Sequence, residues 1–251
     1  MMALLDINNL YKKFGGLVAT NNITFSVEKG ERVGILGPNG AGKTTIFNQV
    51  SGFIKPDGGE IIFNGENIIG KSPEFIAKKG IVRTFQIVKP FKGMNVYDNL
   101  KVATLSPKMK EEIKNETERK KWIEYIIDIC ELKNVAYTMT DLLPQGYLKK
   151  LEVAKSLAIK PKVVLLDEPF AGLTHSEIEP ISKVIIKANE VSGTSIVLIE
   201  HRLKEFMQLV ERVIAIDYGE KIAEGTPEEI VKNKKVIESY LGKGGEEIVN
   251  S

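Results

Sequence analysis

Apolar positions fall into two kinds of run along the chain. Four short runs are apolar on consecutive residues and end in polar residues or glycine: RVGILG (32–37), KVVLLDE (162–168), TSIVLIE (194–200) and RVIAIDYG (212–219). Runs of this kind predict strands buried on both faces, as in a parallel sheet covered by helices. Two longer segments between them, EIEPISKVIIKANEV and RLKEFMQLV, predict the covering helices. The N-terminal part is different. LLDINNLYKKF, NNITFSVEKGE and GEIIFNGENI are short strands separated by turns, and T-F-S-V alternates as a half-buried strand does.

A third character begins near Lys108. KMKEEIKNETERKKWIEYIIDICEL is charged, lacks glycine and proline, and spaces Ile113, Trp122, Ile126 and Ile129 near the helical period. Residues 90–158 therefore read as a helical insertion in an α/β chain. Late in the sequence, Thr226-Pro227-Glu228-Glu229 predicts a helix start. Thr226 is the cap, Pro227 the first helical residue, and Glu229 reaches back.

Composition narrows the classes. Hydrophobic residues make up 43% of the 251, enough for a packed core, and 35 basic residues face 33 acidic ones. The net charge of +2 gives no electrostatic case for nucleic acid. Cys130 is the only cysteine, so no internal disulfide forms, and its place in YIIDIC predicts a buried thiol. The N-terminus has no secretory pattern, and no apolar run reaches the roughly 20 residues that span a bilayer. The expectation is a soluble, cytoplasmic chain whose membrane role, if any, runs through a partner.

The chemistry concentrates at two places. Gly37-Pro38-Asn39-Gly40-Ala41-Gly42-Lys43-Thr44 matches G-x-x-x-x-G-K-[ST], follows an apolar strand and opens a helix that includes Thr45. Glycines let backbone N–H groups face phosphates, and the helix N-terminus adds partial positive charge. Lys43 is the candidate for the β- and γ-phosphates, and Thr44 for Mg²⁺. The second place is Asp167-Glu168, closing an apolar strand. A carboxylate there is poorly solvated without a cation nearby. Asp167 is the candidate Mg²⁺ contact, and Glu168 the candidate to polarise the attacking water.

With these motifs in place, the chain resembles the ATP-binding subunits of ABC transporters over essentially its whole length. Within that family it is most similar to one of the two ATPases of branched-chain amino acid importers, on KKFGGLVA, GIVRTFQ, DEPFAGL, LIEHRL and the tail YGEKIAEGTPEEIVKNKKVIESYLG. Amide and urea importers share many of these features. The resemblance implies a P-loop NTPase fold: a RecA-like α/β core with an N-terminal antiparallel β subdomain (about 1–89 and 159–251) and an inserted α-helical subdomain (about 90–158). It implies that Phe14 stacks on adenine, with Tyr11 the other aromatic nearby. Gln86 would touch Mg²⁺ and the attacking water, His201 would contact the γ-phosphate, and residues 171–174 (AGLT) would form the D-loop. LLPQGYLKKLEVA falls where the family has its signature loop.

That signature usually reads L-S-G-G-Q; here the aligned residues are Leu143-Pro144-Gln145-Gly146-Tyr147. Pro144 is tolerable at a helix entrance but removes a hydroxyl donor to the partner's γ-phosphate. The implied partners are a second ABC ATPase subunit (homo- or heterodimer), two integral membrane permease subunits and, indirectly, a solute-binding protein, with no nucleic acid. The implied location is the inner face of the cell membrane, through the permeases. The competing class, a soluble ABC ATPase without a transporter, usually brings a long coiled-coil insertion or tandem cassettes. A GTPase would need N-K-x-D, and the only N-K pair, Asn233-Lys234, continues Lys235-Val236. Lys149-Lys150 reads either as positive potential near phosphate or as a solvated face. His175 reads as a surface residue, and Trp122 as packing within the insertion.

Overall fold

The computed structural model describes residues 3–84 and 90–241. Among them the chain builds two sheets. Strands β1 (Leu5–Phe14), β2 (Leu17–Val27), β4 (Gly58–Phe63) and β5 (Glu66–Asn67) form an antiparallel sheet in the order β2-β1-β4-β5. Strands β3 (Arg32–Leu36), β6 (Ile81–Arg83), β7 (Val163–Asp167), β8 (Ser195–Ile199), β9 (Arg212–Asp217) and β10 (Glu220–Gly225) form the second, ordered β10-β9-β3-β8-β7-β6. Of these six, β10 alone runs antiparallel to its neighbour.

The sheet's alternation explains its two covered faces. Val33, Ile35, Val163, Leu165, Val197, Ile199, Ile214 and Ile216 point to one side, into a core shared with α1 (Lys43–Val50) and the antiparallel sheet. Val164, Leu166, Ile196, Leu198, Val213 and Ala215 point to the other, against α6 (Gln145–Ala158), α7 (His175–Ser192) and α8 (Leu203–Leu209). Each fully buried side chain of this type contributes about 1.5–3 kcal/mol relative to exposure. Gly34 has a packing reason to be glycine. A Cβ there would lie 2.2 Å from the Phe206 ring, which fills the space from α8.

The insertion is helical, as expected, but in pieces: α3 (Val96–Ala103), α4 (Pro107–Glu112), α5 (Glu116–Ile129) and α6. The segment from Lys108, whose apolar spacing suits a helix, breaks at Ile113, which is extended, and Asn115 then caps α5 through its side chain. An asparagine satisfies the orphan N–H groups of a new helix start, and this local bond overrides the apolar spacing. Trp122 packs as expected and donates its Nε1–H to Ala158 O at 2.9 Å. The Cys130 thiol is buried, which pushes its pKa up to about 12. Helices α2 (Pro73–Lys79), α9 (Pro227–Ile230) and α10 (Lys234–Leu241) complete the described chain, and α9 has the expected capping box of Thr226 and Glu229. Among the described residues no helix is long and apolar enough to cross a membrane.

Candidate functional site: a phosphate loop facing a carboxylate and a histidine

The glycine-rich loop joins β3 to α1, where the parallel strands end. Gly42 precedes the helix with φ 105°, and no side chain caps α1. A helix start of this kind directs its first N–H groups toward an anion. Two glycines are demanded by packing: a Cβ on Gly37 would meet Ile216 O at 2.2 Å, and one on Gly42 would meet Ala19 O at 2.2 Å. Over Gly40 a Cβ would meet nothing within 4 Å, so that side of the loop is open. The buried Lys43 ammonium donates to Gly37 O at 2.6 Å and Pro38 O at 2.9 Å, folded back over its own loop.

An open cleft of about 300 Å³ brings the predicted residues together. Phe14, the segment Asn39–Thr45, Glu168 and His201 all line it, along with Leu17, Val18 and Ala19. Phe14 is exposed, with the Lys12 ammonium 5.4 Å from its ring centre. Glu168 takes φ 50°, a left-handed conformation that costs on the order of 1–3 kcal/mol and clusters at functional sites. Its N–H is held by Ile199 O at 2.9 Å. From there Glu168 Oε1 lies 2.9 Å from His201 Nε2. Glycines without side chains, a helix start and a buried ammonium can cradle a polyphosphate, and a carboxylate–imidazole pair beside it can orient water.

The cation expected beside Asp167 was Mg²⁺; the structure also places there Arg83 of β6, a residue that sequence reasoning missed. Arg83 Nη2 donates to Asp167 Oδ2 at 2.7 Å, with the two side chains 6% and 8% exposed. The same guanidinium donates to Asn48 Oδ1 at 2.6 Å and lies over the Phe47 ring. Asn48 is one helical turn beyond Thr44, so Arg83 braces Asp167 against the helix that carries Thr44. The Thr44 hydroxyl and the Asp167 carboxylate are the oxygen donors that a hard divalent cation takes. Gln86 lies outside the described residues.

The signature-like segment is elsewhere. Leu143 is buried in the helical core, Pro144 and Gln145 are exposed, and Tyr147 packs partly against that core. Pro144 is the residue before α6, which has no side-chain cap. Gly146 lies against Glu177 of α7: a Cβ there would stand 3.3 Å from Glu177 Oε1. Lys149 and Lys150 form no solvated face. They are 2% and 9% exposed, Lys149 sits 3.8 Å from Glu152, and Lys150 donates to Glu131 at 2.7 Å. The α6 turn that carries them faces the core, so their stems pack while their heads find carboxylates. His175 is exposed, as expected, 3.3 Å from Glu205.

A phosphate loop, a facing carboxylate strand and an inserted helical region define a nucleotide-binding cassette. The ABC transporter family model matches residues 20–171, and the model for the branched-chain amino acid ATP-binding cassette transporter matches 220–246. The chain belongs to the ABC transporter ATP-binding family and is an ATPase of that family. It is 36% identical to the high-affinity branched-chain amino acid transport ATP-binding protein BraF of Pseudomonas aeruginosa, over 96% of this chain and 98% of the relative. It is 37% identical to a probable branched-chain amino acid transport ATP-binding protein, LivG, of Archaeoglobus fulgidus, over 98% of each. Among solved structures, a nucleotide-free ATP-binding cassette from an ABC transporter superposes with a TM-score of 0.84 at 30% identity, covering 96% of this chain and 100% of the other. An ADP-bound cassette of an ABC transporter superposes at 0.83 with 30% identity, covering 97% and 100%.

Proposed function

We propose that the chain is the ATP-hydrolysing subunit of an ABC importer that takes up branched-chain amino acids, or related small polar solutes such as amides or urea. The observation that carries the ATPase assignment is the cleft in which Lys43, Thr44, Glu168 and His201 meet. The matching C-terminal segment at 220–246 and the named relatives support the solute class.

In this reading Phe14 stacks on adenine, and the backbone of Gly37–Thr45 with the Lys43 ammonium holds the phosphates. Thr44 and Asp167, with Gln86, would hold Mg²⁺, which neutralises charge on the phosphate oxygens when bound. Glu168 accepts a proton from the attacking water. His201 orients Glu168 in the open form and turns its imidazole to the γ-phosphate when nucleotide enters. Leu143–Tyr147 completes the site of a second ATPase subunit, so hydrolysis takes place between two such subunits.

Two permease subunits and, through them, a solute-binding protein hold the chain at the cytoplasmic face of the membrane. An exposed apolar patch supports a docking surface for these membrane subunits. The isolated bridge between Asn95 and Met139 joins two segments that expose Phe91, Met94, Tyr137, Met139 and Leu142. Reconstitution with the membrane subunits encoded beside it tests the reading. ATP-driven uptake of leucine, isoleucine or valine is expected. Uptake of urea or an amide alone would move the solute class, and no ATP-driven uptake at all would sink the importer reading.

A further inference from the structure

The loop that follows Glu168 is fastened at two points to the loop that carries His201. The buried Glu200 carboxylate bridges them: its Oε1 accepts from Phe170 N at 2.7 Å, while its Oε2 accepts from His201 N at 2.8 Å and Arg202 N at 3.3 Å. Two residues on, Arg202 Nη2 donates to Leu173 O at 3.0 Å. The same loop then enters α7 through a capping box. Thr174 donates to Glu177 from its N–H at 2.9 Å and its hydroxyl at 2.7 Å. Glu177 in turn lies against Gly146.

We propose that Glu200 and Arg202 are positioning residues that lock segment 168–174 to His201. The Glu168–His201 pair and the loop offered to a partner then shift as one body. The inference rests on the assignment of Glu168 and His201 to hydrolysis.

The chemistry accounts for a carboxylate at position 200, the end of an apolar strand. Three N–H groups from two loops converge on it, and two oxygens can accept all three. Burial works against the charge, so a carboxylate here has to be compensated by those donors. A glutamine would keep one acceptor oxygen and turn an NH₂ donor toward the others, leaving at least one buried N–H unmatched. Arg202 is exposed, and its tie to Leu173 can be removed without opening the core.

Glu200→Gln, Arg202→Met and Arg202→Lys in the full chain test this, with ATPase kinetics, thermal unfolding and amide hydrogen exchange read together. A small misplacement of reacting groups costs up to about a hundredfold in rate. Glu200→Gln and Arg202→Met are therefore expected to lower kcat by about 10- to 100-fold, with KM for ATP unchanged. Exchange over 168–174 should quicken while exchange over 37–45 stays as in the wild type, and Arg202→Lys should recover most of both properties. Unchanged exchange over 168–174 in both variants overturns the proposal. So does faster exchange with an unchanged kcat, or a rate loss that follows KM or the fraction unfolded. A wild-type chain without ATPase activity would remove the hydrolytic assignment, whereas exchange would still report whether the two loops are tied.

Discussion

The N-termini of α1 and α6 are the helix starts to which the proposed function gives a phosphate role, and they are built differently. Neither has a side-chain cap. At α1 the surroundings are closed around that purpose. Gly37 and Gly42 have no room for a Cβ, and the Lys43 ammonium is folded into the loop. At α6 the preceding residue is Pro144, Leu143 turns inward, and Tyr147 leans on the core. One helix start is a self-sufficient anion cradle. The other offers a dipole and backbone donors, with Glu177 of a neighbouring helix against it. On the proposed reading, one scaffold carries a well-built half-site that a partner's loop completes and a depleted half-site that it offers in return.

This contrast is tested most severely at the phosphate-loop half-site. Glu168→Gln should lower ATP turnover by about 10²–10⁴-fold while ATP binding persists. Steady-state hydrolysis beside equilibrium nucleotide binding checks it, and an unchanged rate removes Glu168 from the chemistry. Next in size is the brace behind that site. Arg83→Leu leaves the Asp167 carboxylate buried without its ion partner, at an expected cost of about 3–5 kcal/mol. Urea unfolding would show it, and Arg83→Leu combined with Asp167→Leu should cost less than the single change. If the single change is silent, the pair is not what holds Asp167.

At the depleted end, Pro144→Ser should act twice. A serine at this pre-helical position caps α6, adding about 0.5–2 kcal/mol of stability. It also returns a hydroxyl to the partner's phosphate, worth about 1.5–3 kcal/mol. ATP-dependent association of the subunits, measured by sedimentation, should tighten. Unchanged association would mean that the backbone of this loop already suffices.

The smallest effect expected is in pH dependence. Burial raises the Glu200 pKa, against the lowering by the Phe170, His201 and Arg202 N–H groups. A carboxyl that keeps its proton longer when folded loses stability as pH rises from the ordinary carboxylate range to the raised value. The wild type should therefore show a shallow decline over that window that Glu200→Gln lacks. Equal slopes would mean that Glu200 ionises as if exposed.

Much of this could be read without coordinates. Four of the five parallel strands were legible because short runs of consecutive apolar residues, closed by glycine or acid, suit a sheet covered on both faces; the three-residue β6 was not. The phosphate loop was legible because its glycines and lysine act through local backbone. The break at Ile113 was not. A single asparagine cap at Asn115 outweighed an apolar spacing that suited one continuous helix. Lys149 and Lys150 misled for a related reason: charge in sequence reads as solvent, whereas Glu131 and Glu152 supply partners that let them lie inside.

Sequence by itself determined the class of protein and the nucleotide loop, and it named Asp167 and Glu168 as candidates, with His201 added by family resemblance. These depend on residue type and spacing within a few positions, which the linear order preserves. Only the tertiary structure decided that Arg83 is the cation beside Asp167 and that Glu200 and Arg202 fasten the loop after Glu168. It alone showed that Glu177 lies against Gly146. Each of these is a contact between segments far apart in the chain, brought together by strand order in the parallel sheet, and a lone arginine or glutamate carries no mark of the partner it will meet.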